Sequence, residues 1–154
     1  MSEYTATIRW SLDGADFVGN RYTRAHEWSF DGGLTVPASA SPHIVPLPQS
    51  VAEHVDPEEA FVASISSCHM LFFLSLAAAE GVVVTAYEDK ASGWLEKDST
   101  NKTAMTRVVL RPNAAYGSDN MPDADVLERL HHRAHELCFI ANSVSTKIVT
   151  DIVS

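Results

Sequence analysis

The chain has 154 residues, of which 45% are hydrophobic, and 20 acidic against 11 basic side chains give a formal net charge of −9. This length and composition fit a single folded domain spanning residues 1–154, and they exclude a disordered or collagen-like chain. The negative charge repels phosphate groups, so we expect neither nucleic acid nor an anionic membrane surface as a partner. We also find no apolar stretch of membrane-spanning length and no secretory signal, so we expect a cytoplasmic protein.

The first part of the chain alternates apolar and polar residues with the period of two that is typical of strands. Residues 4–11 predict a first strand, residues 22–30 a second and Leu34–Val36 a third, with glycine-containing turns between them. Four prolines within residues 37–55 then deny the chain regular structure. A stretch of that length inside a compact domain is usually functional or wraps around the rest.

The clearest predicted element is a long helix. Asp56 is a good N-cap, Pro57 suits the first helical position, and Glu59 completes the spacing of a capping box. We expect the helix to reach Glu80, with Gly81 as its stop. Its residues are apolar nearly all round, which predicts burial on every side. A chain of this size does not easily cover such a helix alone, so we expect an intertwined homodimer.

Two long strands, a second helix and a last strand complete the predicted order. The patterns indicate strands over 82–97 and 102–116, a helix from a cap at Asp123 or Asp125 to about Ile140, and a strand over 144–152. The resulting order, βββ-α-ββ-α-β, predicts an α+β fold with mostly antiparallel pairing.

The two cysteines are candidates for thiol chemistry. Cys68 lies midway along the first helix, and Cys138 shares a helix face with Leu127, His131 and Ala134, which directs it inward. Free cysteines are among the most buried residues, so both are also explained as small core side chains. Two inward cysteines on packed helices can instead meet and form a redox pair, and in the cytosol a cysteine pair is more often catalytic, redox-sensing or simply buried than a structural disulfide.

Arg24 and Glu58 are candidates for an ion pair beside a cysteine. Arg24 falls on the same predicted strand face as several aromatic residues, whereas Arg21 falls on the opposite face. A guanidinium directed toward a core requires an anion, and Glu58 is available because Glu59 serves the capping box. Such a pair would lower the pKa of a neighbouring thiol. Glu58 is also explained by its favourable position near the helix N-terminus.

The histidines allow a metal site to be considered. His131, His135 and Cys138 have the i, i+4, i+7 spacing that presents three ligands on one helix face, although histidines near a helix C-terminus are also favoured by its dipole. His69 follows Cys68 directly, but adjacent helical residues do not face each other. We therefore expect His69 to be a hydrogen-bonded core or interface histidine.

Two segments resemble the OsmC/Ohr family, the osmotically inducible protein C and organic hydroperoxide resistance proteins. The run DPEEAFVASISSCHM is similar to the family signature, with Glu58 and Cys68 at the spacing of its glutamate and peroxidatic cysteine. The run AHELCFIANS resembles the segment around the family's second cysteine, here Cys138. Phe139 stands where the family usually has proline, and His69 stands where it often has an apolar or aromatic residue. These departures suggest a divergent subgroup.

The resemblance implies an OsmC/Ohr-like homodimer that reduces organic hydroperoxides and needs no cofactor. Cys68 would be the peroxidatic thiolate and Cys138 the resolving thiol, with a Cys68–Cys138 disulfide between them. Arg24 would polarise the thiolate and the peroxide, with Arg21 as the other candidate, and Glu58 would orient the arginine. A dithiol reductant, for which a lipoyl-type dithiol is one candidate, would restore both thiols.

Glu58 and Cys68 lie ten residues apart on one predicted helix, which places them about 15 Å apart along its axis. We therefore expect a site at the dimer interface, where Glu58 and Arg24 serve the Cys68 of the partner chain. Two other functions stay open. One is a non-catalytic ligand-binding or stress-associated dimer, and the other is a metal-binding protein that uses His131, His135 and Cys138.

Overall fold

A computed structural model of the chain describes residues 1–117, 119 and 121–154. Its internal contacts group the residues into two units, Met1–Ala60 and Phe61–Ser154. The first unit holds one small sheet and the start of a long helix, and the second holds the rest of that helix, two sheets and a second helix.

Three short antiparallel strands build the sheet of the first unit. They are β1 (Thr7–Arg9), β2 (His26–Ser29) and β3 (Thr35–Ala38), in the order β1-β2-β3. All three predicted strands are present, but β1 is shorter than its pattern and β2 begins only at His26. After β3 the chain has no helix or strand until residue 57, as the prolines predicted.

Helix α1 (Pro57–Ala79) begins as its sequence predicted. The Asp56 carboxylate accepts the Glu59 N–H at 2.8 Å, and the Glu59 carboxylate accepts the Asp56 N–H at 3.0 Å. This reciprocal capping box satisfies two backbone donors that would otherwise have no partner. The helix ends just before Gly81, whose φ of 75° is the left-handed conformation that glycine adopts at little cost.

Only one face of α1 is fully buried within the chain. That face holds Ile65, His69, Phe73 and Ala77, at intervals of four residues. Leu71, on another face, keeps 60% of its surface exposed. The single chain therefore covers only part of this apolar helix, as expected for a chain of this size, and burial of its other faces in a homodimer stays a prediction.

By length and composition alone, α1 is apolar enough to cross a membrane. The expectation that no stretch of the chain reaches that length is therefore wrong. The core helix of a soluble protein meets the same criterion, and α1 packs its buried face against the sheets and helix of the second unit.

The two long strands predicted after α1 are each broken into two. The second unit contains β4 (Val84–Asp89), β5 (Ser92–Lys97), β6 (Thr103–Leu110), β7 (Pro112–Tyr116) and β8 (Lys147–Thr150). One sheet pairs β4 with β7, and the other has the order β5-β6-β8, in which β6 and β8 are parallel. At the break the Asp89 carboxylate accepts the Arg111 N–H at 2.6 Å, so this donor leaves the sheet ladder.

Helix α2 (Ala124–Leu137) begins after Asp123, whose carboxylate accepts the Val126 N–H at 2.9 Å. Of the two predicted caps, Asp123 is therefore the one used. The helix ends three residues before the predicted Ile140, because Cys138 leaves the helical conformation and becomes the C-cap. A short 3₁₀ helix, Ala141–Ser143, follows and leads the chain toward β8.

Two apolar clusters fix α1 against the rest of the second unit. The larger contains Phe73, Ala77, Val82, Ala114, Leu130 and Ala134, from α1, α2, the β7 strand and the turn before β4. The smaller contains Ile65, Val108 and Leu110. The packing of α1 on α2 in the larger cluster brings the two cysteine-bearing segments together.

Candidate active site

The two cysteine thiols meet in the second unit. Cys68 lies midway along α1 and is half-buried, whereas Cys138 at the end of α2 has only 1% of its surface exposed. Both cysteines are reduced, and the Cys68 thiol lies close enough to Cys138 to affect the pKa of its thiol. The predicted meeting of two inward cysteines on packed helices is therefore present.

The turn after α2 holds the Cys138 sulfur in place. The Cys138 N–H donates to the His135 carbonyl at 3.3 Å, and the Cys138 carbonyl accepts the Asn142 N–H at 3.0 Å. The Ala141 N–H donates to the Cys138 Sγ at 3.4 Å. Three hydrogen bonds therefore hold Cys138, two through its backbone and one through its sulfur, and they fix the position of the thiol.

The surroundings of Cys138 favour its protonated form. Burial, the largest effect, and the neighbouring Cys68 side chain together raise the pKa of the Cys138 thiol to about 11. The N–H groups of Ala141 and Ile140 oppose this shift, because they favour negative charge on the sulfur. At neutral pH Cys138 is therefore a protonated thiol beside Cys68.

Arg24 lies in the first unit and is fixed there without a carboxylate partner. Its guanidinium donates to the Tyr22 carbonyl at 2.6 Å and to the Asn20 Oδ1 at 2.8 Å, and it lies 3.6 Å above the Tyr22 ring. Arg21 instead pairs with Asp16 at 2.8 Å, and its side chain is 73% exposed. Within the described residues Arg24 forms no ion pair.

The two arginines differ in exposure, with Arg24 the less exposed. The prediction that opposite faces of a strand cause this difference is wrong. Residues 22–25 are not in a strand, because β2 begins at His26. The backbone N–H of Arg24 donates instead to the Gln49 carbonyl, at 2.7 Å. A tertiary contact with the proline-rich segment, and not strand parity, sets the direction of Arg24.

Glu58 lies in the first turn of α1 and has an unused oxygen. Its Oε2 is buried and has no hydrogen-bond partner, while the neighbouring Glu59 serves the capping box. Glu58 and Arg24 do not pair with each other in the chain, within the part that the structure describes. An unpaired oxygen of a buried carboxylate is costly, and it is suited to accept a cationic donor.

The alternative metal site is not assembled. Among the described residues, no three histidine, cysteine, aspartate or glutamate side chains lie close enough to hold an ion. The His131 ring is hydrogen-bonded to His69, and the Cys138 thiol lies beside Cys68. The predicted set of His131, His135 and Cys138 is therefore wrong, because helical spacing alone does not direct the three side chains to one point.

His69 and His131 form a buried pair that connects α1 and α2. The Nε2 of His69 lies 2.9 Å from the Nδ1 of His131, and the two ring planes are parallel within 1°. The Phe73 ring stacks on His131 with a centroid distance of 4.1 Å. The expectation of a hydrogen-bonded core histidine at position 69 is confirmed. Its partner was missed, although the inward face predicted for His131 was an available signal.

An aromatic pair lies close to the thiols along the chain. Phe139 follows Cys138, is 71% exposed and contacts Phe72 edge to face, with a centroid distance of 5.0 Å. Phe72 is one helical turn beyond Cys68. The pair places exposed apolar surface on both segments that carry the cysteines.

Comparison with known families identifies the chain. A family model described as OsmC-like protein matches residues 50–153. The chain belongs to the OsmC-like family. It is 54% identical to an OsmC-like protein of unknown function from Vibrio cholerae, over 99% of this chain and 100% of that one, with a TM-score of 0.98.

More distant structures share the fold of this OsmC-like protein. An OsmC-like protein from Mycoplasma pneumoniae gives a TM-score of 0.74 at 12% identity, covering 99% of this chain and 96% of that one. The organic hydroperoxide resistance protein OhrB of Bacillus subtilis gives 0.69 at 19% identity, covering 98% of each. No curated protein matches significantly. The predicted family and α+β OsmC/Ohr-like fold are confirmed.

Proposed function

We propose that this OsmC-like protein is a thiol-dependent peroxidase that reduces organic hydroperoxides through Cys68 and Cys138. The observation that carries the proposal is the close approach of the two thiols, of which Cys68 is half-buried and Cys138 is fully buried and kept protonated by its burial. The difference in burial assigns different roles, because the more accessible Cys68 can meet a peroxide first and the buried, protonated Cys138 can react with the oxidised Cys68 afterwards. Membership of a family with named organic hydroperoxide resistance proteins among its structural neighbours supports the substrate class.

The chemistry then proceeds in three balanced steps. The Cys68 thiolate attacks the distal peroxide oxygen, the O–O bond breaks, and the alkoxide takes a proton from water and leaves as the alcohol. The Cys138 sulfur next attacks the Cys68 sulfenic acid, and its proton leaves with the hydroxyl group as water. An external dithiol returns two electrons and two protons to the disulfide and is itself oxidised.

Arg24 and Glu58 remain the proposed polarising and orienting groups. Arg24 carries a charge that no carboxylate of the described chain neutralises, and Glu58 has a buried oxygen without a partner. Arg21 is already paired with Asp16 at the surface. Arg24→Ala should therefore slow peroxide consumption strongly, whereas Arg21→Ala should have little effect. The opposite order would assign the role to Arg21.

We further propose that the active form is a homodimer. The face of α1 that includes Leu71 is exposed in the single chain, and its other exposed residues are small (Ser64, Ser67, Ser75 and Ala78), so a second helix can approach it closely. Mixing a Cys68→Ser dimer with a Glu58→Ala dimer tests whether sites are shared. If Glu58 serves the partner's Cys68, exchange of subunits should restore one complete site per heterodimer and up to half of wild-type activity. Lasting inactivity would contradict the shared site.

The proposed function is tested by steady-state consumption of tert-butyl hydroperoxide with dithiothreitol or dihydrolipoamide as the dithiol. We expect Cys68→Ser to abolish consumption and Cys138→Ser to allow one turnover that leaves a Cys68 sulfenic acid. Ser67→Ala is the matched control, because it changes an exposed neighbour of Cys68 on the same helix. Loss of one equivalent of peroxide without turnover under any dithiol would support the non-catalytic alternative instead.

A further inference from the structure

One hydrogen bond joins the side chains of His69 and His131, and neither ring has another hydrogen-bond partner among the described residues. Two neutral imidazoles facing each other through Nε2 and Nδ1 share one hydrogen, which either ring can donate. The other nitrogen of each ring, Nδ1 of His69 and Nε2 of His131, is buried without a partner. If α1 and α2 shifted against each other, both rings would lose this hydrogen bond while still buried.

The pair is buried, and the groups that act on it are the Phe73 ring against His131 and the side chains of His135 and Asp89 near His69. Both rings have 1% of their surface exposed, and Phe73 lies flat against His131. Burial lowers the pKa of each histidine to about 4, so the pair is neutral at physiological pH. A neutral, directional bond in such a site tolerates less displacement than apolar contacts alone, since a hydrogen bond weakens steeply with distance and angle.

The same two helices carry the thiols. His69 follows Cys68 on α1, and His131 lies two turns before Cys138 on α2. We propose that His69 and His131 are positioning residues, whose hydrogen bond holds α1 and α2 at the register that brings the Cys138 thiol to Cys68. This inference rests on the disulfide of the proposed function, but not on its peroxide substrate.

A second tether between the helices provides a matched control. Arg129 of α2 pairs with Glu80, just beyond the end of α1, and both side chains are exposed. Exposed ion pairs contribute little to stability and geometry. Arg129→Gln should therefore leave the thiols in place, whereas loss of the buried bond should not.

Two double variants separate the effect of the His69–His131 hydrogen bond from the effect of the volume that the two rings fill. His69→Gln with His131→Asn places amide groups where Nε2 and Nδ1 lie, so one hydrogen bond is retained. His69→Leu with His131→Leu fills the space with apolar groups and should fold, because replacing buried polar groups by apolar ones of similar volume is often neutral or stabilising. It removes the directional bond.

The readout is the equilibrium between the protein thiols and glutathione at pH 7, measured by alkylation and mass spectrometry. Oxidised glutathione takes two electrons from the cysteine pair and yields the protein disulfide and two reduced glutathiones. The equilibrium constant of this exchange gives the effective concentration of the Cys138 thiol at Cys68. We expect a fall of about tenfold for the double leucine variant, and values within about twofold of wild type for the Gln/Asn variant and for Arg129→Gln.

A double leucine variant that folds and keeps the wild-type effective concentration overturns the positioning role. The same follows if the Gln/Asn variant behaves like the double leucine variant. Because no peroxide is used, these outcomes are independent of peroxidase turnover. Absence of any Cys68–Cys138 disulfide in the wild-type protein would instead overturn the proposed function together with this inference.

Discussion

The buried histidine pair makes the stability of the fold depend on pH in a defined window. In the unfolded chain His69 and His131 have the ordinary pKa of 6.5, and burial lowers it to about 4 in the folded chain. Between these values the unfolded chain binds protons that the folded chain does not. The free energy of unfolding is therefore highest above about pH 6.5 and decreases as the pH falls toward 4.

The size of the effect follows from the two pKa values. For each histidine, lowering the pH from 7 to 5 should reduce the free energy of unfolding by about 2 kcal/mol, and for the pair by about 4 kcal/mol. That is a large share of the ~5–15 kcal/mol by which folded domains are usually stable. Carboxyl groups with ordinary pKa values contribute little in this window, because those values lie below it.

Urea unfolding at pH 7 and pH 5, followed by circular dichroism, measures the difference. The double variant His69→Leu with His131→Leu should lose most of the pH dependence, because neither position can then bind a proton. His132→Gln is the control, since His132 is exposed on the same helix. If wild-type stability changes by less than about 1 kcal/mol, or if the double leucine variant loses as much as wild type, the assignment to this pair is refuted.

Three further changes test other parts of the structure. Asp56→Ala removes the helix cap and should cost about 1 kcal/mol of stability in urea unfolding, whereas Glu53→Ala should not. Gly93→Ala should be destabilising by about 1–3 kcal/mol, because a Cβ there would lie 2.6 Å from a Val62 methyl group. Phe139→Ala should raise KM for cumene hydroperoxide more than for hydrogen peroxide, and equal effects would exclude an apolar substrate contact.

Local signals in the sequence were sufficient for the helices and for the thiol pair. The capping box at Asp56 and Glu59 depends on residues three apart, and it formed as predicted. The meeting of Cys68 and Cys138 was predicted from a helical face count for Cys138 and from the apolar character of the helix that carries Cys68. Periodicity and capping chemistry are local properties, and they remain visible without knowledge of the fold.

The features that were missed depend on contacts between distant residues. The break between β6 and β7 at Arg111 arises because the Arg111 N–H donates to the Asp89 carboxylate. The alternation of apolar and polar residues along a strand does not indicate such a contact. The direction of Arg24 depends on a bond to Gln49. The partner of His69 is 62 residues further along the chain. Each of these contacts became visible only once the tertiary structure was known.

The position of Cys138 at the C-cap, and not inside α2, has a consequence for oxidation. A disulfide requires the two sulfurs to approach to about 2.05 Å. The residues after the cap can follow such a movement while the capped and packed body of α2 stays in place. The Ala141 amide would then lose the Cys138 sulfur as its acceptor. We therefore expect faster hydrogen exchange at the Ala141 amide in the oxidised protein than in the reduced protein. The exchange rate of this amide would then report whether the thiols are oxidised.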